Sequence, residues 1–451
     1  MGRTSSHPPW IDRLRAPGIT RWLKIGIGVK RWLALLLVGI ALLGLGLAYL
    51  LIDLERDPQL SGTLYTLTLR FLPDALRGII FGGLGLGLAS LAVIRLSRSL
   101  LAPFLGARPR PVIEAMAQYR QRERGPKIVA IGGGTGLSTF LRGIKAHTSN
   151  ITAIVTVADD GGSSGKLRRE FGILPPGDFR QCIAALADDE ALTTRLFQYR
   201  FSVSDSSGNG SGLGGHAFGN LFITAMTNVT GSFEQGLAES SQVLAVRGRV
   251  LPSTMTPLTL IGDLLDDATR QLTRVQGESV ITHAGATIQR LTIQPEDARA
   301  YPDAIRAILD ADAIVLASGS LYTSLLPNLL VRGITDAIRA ARGVCLYVCN
   351  VATQKGETIG YTVRDHVAAI ERHVGAGWID AVIANSETSV TWTGTPAGVG
   401  EMIRFDPAVA PDPPIVGRDV IDVSSPWRHD SQKLARAVMQ ALSEARPRED
   451  S

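Results

Sequence analysis

Apolar and polar positions alternate along this chain in three distinct ways. Residues 32–52, WLALLLVGIALLGLGLAYLLI, carry no charge, and at helical rise they are long enough to cross a bilayer core of roughly 30 Å. Residues 78–94, GIIFGGLGLGLASLAVI, form a shorter, glycine-rich run at the lower edge of spanning length. From residue 127 onward the pattern changes. Short apolar runs at 127–131, 151–157, 313–317, 344–349 and 379–384 alternate with stretches of helical period such as LSTFLRGIKAH and LLPNLLVRGITDAIRAAR. Strands alternating with helices predict an α/β fold with a Rossmann-like, mostly parallel sheet. Residues 166–246 are predominantly helical in pattern, and 251–293 are rich in Thr and Val with poor helical period, so the fold is expected to carry helical and small β insertions.

This patterning divides the chain into a basic tail over 1–31, a two-helix transmembrane hairpin over 32–95, a juxtamembrane linker over 96–126, a ligand-binding domain over 127–445 and a polar, disordered tail over 446–451. A cleaved signal peptide is the competing reading of the first apolar run, but that run exceeds a usual signal core and no A-x-A-like site follows it. Arg21, Lys24, Lys30 and Arg31 precede the first span and Arg95, Arg98, Arg108 and Arg110 follow the second. Both ends, and the domain beyond them, are therefore expected on the cytoplasmic side. The charge supports the same division. The first 124 residues hold 17 Lys and Arg against 7 Asp and Glu, whereas the remainder holds 29 against 34. The basic pI of about 9.2 thus belongs to the membrane arm, where anionic lipid is the economical partner, and a nucleic-acid function loses its support. Three cysteines, Cys182, Cys345 and Cys349, cannot build a disulfide framework and are read as buried thiols.

In the domain, each expected strand runs into a loop of small polar residues. In doubly wound sheets such loops share one rim, where ligands bind. Gly132, Gly133, Gly134, Thr135 and Gly136 precede a helix, so their backbone N–H groups can receive phosphate oxygens. The loop completes neither G-x-G-x-x-G nor a P-loop. Asp159 and Asp160 end the second strand, where a carboxylate can meet ribose hydroxyls or, as an adjacent pair, Mg²⁺; Ser163 and Ser164 follow. Gly177, Asp178 and Arg180 lie in PPGDFR, a helix start with Asp178 as its cap or as an anion site. His216 and Asn220, four apart, would share a helical face if a helix begins there. Ser320, Tyr322 and Thr323 form the third-strand loop, with Tyr322 a candidate for base stacking, and Asn328 follows; Asn350, Thr353 and Gln354 supply amide and hydroxyl groups after the fourth strand. No Ser-His-Asp order, nucleophile elbow or Cys/His metal spacing is present, so no catalytic residue is assigned.

Taken together, VAIGGGTGLSTFLRGIK, ITAIVTVADDGGSSGKLR, PPGDFR, GHAFGN, RGRVLPST, GSLYTSLLPNLL and CNVATQKGET with GYTVRDH resemble the YvcK branch of the CofD-like proteins. The resemblance implies a Rossmann-like core, a uridine nucleotide-sugar ligand of the UDP-N-acetylglucosamine type, and a regulatory role in cell shape and gluconeogenic growth without an established reaction. It places the diphosphate and sugar near the first glycine loop, Asp159 to Ser164 and the Ser320 to Asn328 segment, with Tyr322 at the uridine. Phe179 and Gln181 depart from a block that commonly reads GDIRN, and Ala317, Ser318 and Gly319 stand where the family often has a GPG turn. The expected partners are a UDP-sugar, the lipid bilayer and a protein of envelope metabolism; homo-oligomerisation is left open. The alternative is a Mg²⁺-dependent phospholactyl-type transferase like the other CofD branch, with Asp159 and Asp160 organising the metal.

Overall fold

A computed structural model describes residues 122–188, 190–202, 212–266, 269–390, 392, 396, 398–404 and 412–445, with isolated positions between 40 and 90. The chain divides into two units, Met1–Arg120 and Gln121–Ser451. The expected tails and nearly all of the hairpin and linker lie outside the described residues. Among the described residues no helix is long and apolar enough to cross a membrane.

The second unit begins with β1 (Ile128–Gly132), α1 (Gly134–Ile144) and β2 (Ile151–Val155), the expected βαβ unit. Helices α2 (Gly162–Phe171), α3 (Gly177–Leu186), α4 (Glu190–Gln198), α5 (Phe218–Thr230) and α6 (Phe233–Val243) make the helical insertion. Then follow β3 (Arg249–Pro252), β4 (Thr259–Leu265), β5 (Leu272–Gln276), α7 (Glu278–His283), β6 (Thr287–Gln294), α8 (Pro302–Leu309) and β7 (Ala313–Leu316). A π-helical turn at Leu321–Leu325 runs into α9 (Leu326–Leu330), and α10 (Ile334–Ala340), β8 (Val344–Val348), β9 (Ala352–Gln354) and α11 (Val363–Val374) continue the chain. The domain closes with β10 (Ala381–Asn385), β11 (Val399–Met402), β12 (Ile415–Arg418) and α12 (Ser431–Glu444).

Seven strands form one parallel sheet in the order β12-β10-β8-β7-β1-β2-β3. Every residue of β1, β7 and β8 is buried, which is why these strands read as continuous apolar runs: a parallel sheet is covered on both faces. The β insertion is a three-stranded antiparallel sheet, β5-β4-β6. Its β4 alternates half-buried and buried positions, as a sheet with one covered face requires. β3 runs into the start of the segment read as a small β insertion, yet it is the edge strand of the main sheet, in register with β2 from Thr152 opposite Arg249 to Val155 opposite Pro252.

The linker reading also ends too late. Asn150 Nδ2 donates to the carbonyls of Glu123 and Gly125, and Thr148 Oγ1 donates to that of Pro126, so residues 122–126 are already stitched to the domain. Cys182, Cys345 and Cys349 are buried, and none of them is in a disulfide.

The chain leaves β1 outward through β2 to β3, then returns on the other side of β1 to build β7, β8, β10 and β12. The loops after β1 and β7 therefore diverge at adjacent strand ends, the position where doubly wound sheets place a ligand crevice.

Candidate functional site

At that switch point the loops touch at backbone distance. A Cβ added to Gly136 would overlap the carbonyl of Ser318, and one added to Gly133 would overlap the Asp178 carboxylate and lie 2.9 Å from Thr156 Cγ2. The first loop needs glycine there for close approach, and Gly134 adopts φ +59, a left-handed conformation. Asn328 ties the same two loops together, its Nδ2 donating to the carbonyls of Gly132 at 3.0 Å and Ser324 at 2.7 Å. Asn350 clamps the next junction: its Oδ1 accepts from the N–H of Gly319 at 2.9 Å and its Nδ2 donates to the carbonyl of Gly319 at 2.7 Å.

The acidic residues meet beside the glycine loop. Asp178 lies in the first turn of α3; of the two roles expected for it, cap or anion site, the cap hydrogen bond is not formed, and the carboxylate accepts the backbone N–H of Gly134. Asp159 Oδ1 accepts from the N–H of Gly161 at 2.9 Å, and its carboxylate also bonds to Ser164. Asp160 turns away, accepting the N–H groups of Glu278 at 2.9 Å and Ser279 at 3.0 Å and the Ser279 hydroxyl at 2.7 Å. Both its oxygens thus accept hydrogen bonds from the first turn of α7, whereas the Asp159 carboxylate faces Gly161 and Ser164. Among the described residues no group of three or more His, Cys, Asp or Glu side chains is arranged to hold a metal ion.

Charge crowding is the electrostatic signature of this rim. Burial, reinforced by Asp159, pushes the Asp178 carboxyl up to about 7 against the pull of the Gly134 N–H and Arg180. Burial together with Asp159, Asp160, Asp178 and Glu357 pushes Glu278 up to about 8. Burial also raises Asp159, opposed by the Gly161 N–H and Ser164. The unfolded chain would titrate these carboxyls near pH 4. Between about pH 4 and 8 the unfolded chain therefore loses protons that the folded chain keeps, so these groups withdraw stability as pH rises through that window. Glu278→Gln is expected to raise the thermal midpoint at pH 8 and to raise it far less at pH 5, a difference that parallel melts of the two proteins would detect. Equal offsets at both pH values would contradict it.

The remaining expected residues divide between the rim and its supports. Ser163 Oγ receives the Nδ2 donor of Asn220 at 3.0 Å and lies 3.0 Å from Nδ1 of His216. His216 and Asn220 thus converge through Ser163; His216 precedes α5 and does not share its face. Thr135 is exposed beside the glycine loop, its hydroxyl 3.4 Å from Gln181 Oε1. Gly177 packs against Ser164 and Asp159. Arg180, in α3, is buried, its Nη1 donating to the carbonyl of Phe197 at 3.1 Å while its Nε has no partner among the described residues. Thr353 accepts the N–H of Glu401 at 2.8 Å and so holds the small β9-β11 sheet, and Gln354 donates to Glu357 at 3.3 Å.

Tyr322 requires a correction. It is fully buried, its hydroxyl 2.8 Å from that of Tyr361 and its ring edge-on to His373 with centroids 5.9 Å apart, so it cannot stack on a base at the rim. Sequence reading missed Glu357, the buried acceptor for the hydroxyls of Ser320 and Thr323 and for the N–H of Tyr322 at 3.1 Å. It also missed Glu278. Buried Asn220 Oδ1, Ser318 Oγ and Asn328 Oδ1 lack partners among the described residues. Two cavities of about 300 and 400 Å³ lie elsewhere in the domain and contain none of these residues.

Residues 128–395 match the CofD family, described as 2-phospho-L-lactate transferase CofD. The chain belongs to this family. Within it, the similarity is to the gluconeogenesis-factor branch. The gluconeogenesis factor of Bacillus subtilis is 49% identical over 262 residues, covering 58% of this chain and 79% of that protein. Relatives from Nostoc sp. and Deinococcus radiodurans, whose names carry the same words, are 48% identical over 82% of this chain and 35% identical over 97% of it, covering 79% and 92% of their own lengths. A solved structure of a UPF0052 family member from Bacillus halodurans aligns with TM-score 0.61 and 40% identity, covering 70% of this chain and 99% of its own. Membership accounts for the parallel sheet and the loop blocks that the sequence quoted.

Proposed function

We propose that the crevice between the β1 and β7 loops binds a uridine nucleotide sugar of the UDP-N-acetylglucosamine type, and that the protein is a ligand-responsive regulator of envelope metabolism and cell shape during gluconeogenic growth. The observation that carries this reading is the convergence of the glycine loop, Asp159 and the Ser318 turn on one rim, with buried polar atoms of Asn220, Ser318 and Asn328 left over for a ligand. Backbone N–H groups at the start of α1, where Thr135 is exposed, suit a diphosphate, and hydroxyl and amide groups suit a sugar. For the transferase reading, the Asp160 carboxylate is hydrogen-bonded to the first turn of α7, and no step through Mg²⁺ is derived. A tether formed by residues 32–95, with basic flanks in the cytoplasm, would hold the sensor beside the precursors it reads.

Calorimetric titration of the full chain with UDP-N-acetylglucosamine is expected to show saturable binding that GDP-mannose does not reproduce and that Asp159→Ala weakens at least tenfold. Incubation with a nucleotide-activated phospholactate and a deazaflavin alcohol is expected to give no product. Absence of UDP-sugar binding in a folded chain would reject the proposal, and an Asp159-dependent product would favour transfer.

A further inference from the structure

The first turn of α1 offers a ligand backbone N–H groups that have no partner within the helix, and one of them is already taken. Asp178, from α3, accepts the N–H of Gly134, and its Oδ2 sits where a Cβ on Gly133 would be. A carboxylate on the first turn of a helix is the protein's own version of the anion such a turn attracts. Asp178 therefore holds a donor that a phosphate oxygen would use. Its side chain is half-buried, at the same rim as the half-buried Asp159.

The surroundings do not favour that negative charge. Asp159 faces Asp178 from the loop after β2, and Glu278 from α7. From its own helix come Arg180, which pulls the carboxyl down, and the Cys182 thiol, which burial holds neutral. Thr156 and Ser324, which pack with Asp178 around Gly133, bring no charge. A helix N-terminus ordinarily lowers a carboxyl. Here burial and Asp159 outweigh it, and Asp178 is pushed up to about 7. A diphosphate brings further negative charge to the same place. Ionised, Asp178 repels it and competes with it for the Gly134 N–H. Protonated, the same carboxyl can keep Gly134 through one oxygen and become an O–H donor through the other.

We propose that Asp178 makes occupation of the crevice proton-linked: the ligand's diphosphate binds as a proton joins the Asp178 carboxyl, which then donates to a phosphate oxygen while still holding the glycine loop. The inference rests on the nucleotide-sugar reading of the crevice and adds to it a dependence on pH. The proton comes from solvent and leaves with the ligand, and no bond of the ligand is made or broken. Affinity is full at acidic pH and falls as pH rises through about 7.

The test is calorimetric titration of the full chain with UDP-N-acetylglucosamine at pH 6 and at pH 8, a range over which this ligand's diphosphate stays ionised. The parent is expected to bind about tenfold more weakly at pH 8 and to take up protons on binding, seen as a heat that changes with the ionisation heat of the buffer. Asp178→Asn reproduces the protonated carboxyl, with an acceptor for Gly134 beside an N–H donor. It should bind at least about fivefold more tightly than the parent at pH 8 and lose most of the pH dependence. If that variant does not fold, proton uptake by the parent decides. Inorganic pyrophosphate, titrated into both chains at pH 8, separates this inference from the reading it rests on. Tighter pyrophosphate binding by the variant, without nucleotide-sugar binding, would keep the role of Asp178 and remove the sugar reading. Nucleotide-sugar binding that is equal at both pH values, or equal in parent and variant, would overturn the role of Asp178 and leave the crevice its ligand. Binding of neither probe by either chain would overturn both.

Discussion

Gly136→Val is expected to destabilise the domain by about 3 kcal/mol or more and to abolish nucleotide-sugar binding in whatever fraction folds. The new Cβ would overlap the Ser318 carbonyl and crowd the N–H of Gly319 at 2.8 Å, and these are backbone atoms that no rotamer change can remove. Accommodation would require the β1 and β7 loops to separate, yet Asn328 holds them through a buried hydrogen bond to Gly132 and Asn350 fixes Gly319 from the β8 side. Gly212→Ala, where an added Cβ meets nothing within 4 Å, is the control and should stay within about 0.5 kcal/mol of the parent. Chemical denaturation of the three proteins measures both values. Equal stability of the parent and the Gly136→Val variant would show that the two loops are not locked together.

Glu357→Ala should have an effect of similar size, by the opposite physical route. The substitution removes an acceptor instead of adding bulk. Ser320, Thr323, Gln354 and the N–H of Tyr322 all donate to that carboxylate, and the Tyr322 N–H is buried and cannot turn elsewhere. Burial raises Glu357, opposed by the hydroxyls of Ser320 and Thr323 and the N–H of Tyr322. Loss of the hub is expected to cost about 3 kcal/mol, while Glu357→Gln, which keeps one acceptor oxygen, should cost less. Hydrogen exchange of residues 318–328 should accelerate in the alanine variant. Unaltered protection there would mean that the turn is held by packing alone.

The legible part of the fold was the part dictated by burial on both faces. β1, β2, β7, β8 and β10 were visible because a covered parallel strand has no polar alternation. β12 was not, because four half-buried residues beside two prolines give no periodic signal. The β9-β11 pair was hidden for the same reason, being three and four residues long.

At the site, glycine and aspartate loops were legible as loops, but the direction of each side chain was not. Asp160 meets the start of α7 from 118 residues away, and nothing near GES in the sequence marks Glu278 as its neighbour. Tyr322 illustrates the same limit. An aromatic residue in a loop of small donors reads as a stacking surface, whereas its flanking Leu321, Leu325 and Leu326 place it on the core side of a π-helical turn. Local composition names the loop; tertiary packing decides which of its groups reach a ligand.

The central claim is that one crevice, between the β1 and β7 loops, holds a phosphorylated small molecule. A crystal structure of the full chain grown with UDP-N-acetylglucosamine tests it most directly. Diphosphate oxygens are expected within hydrogen-bonding distance of the N–H groups of the Gly133 to Gly136 loop, with the sugar beside Asp159 and Asn328. A nucleotide bound elsewhere with the crevice left empty would contradict it.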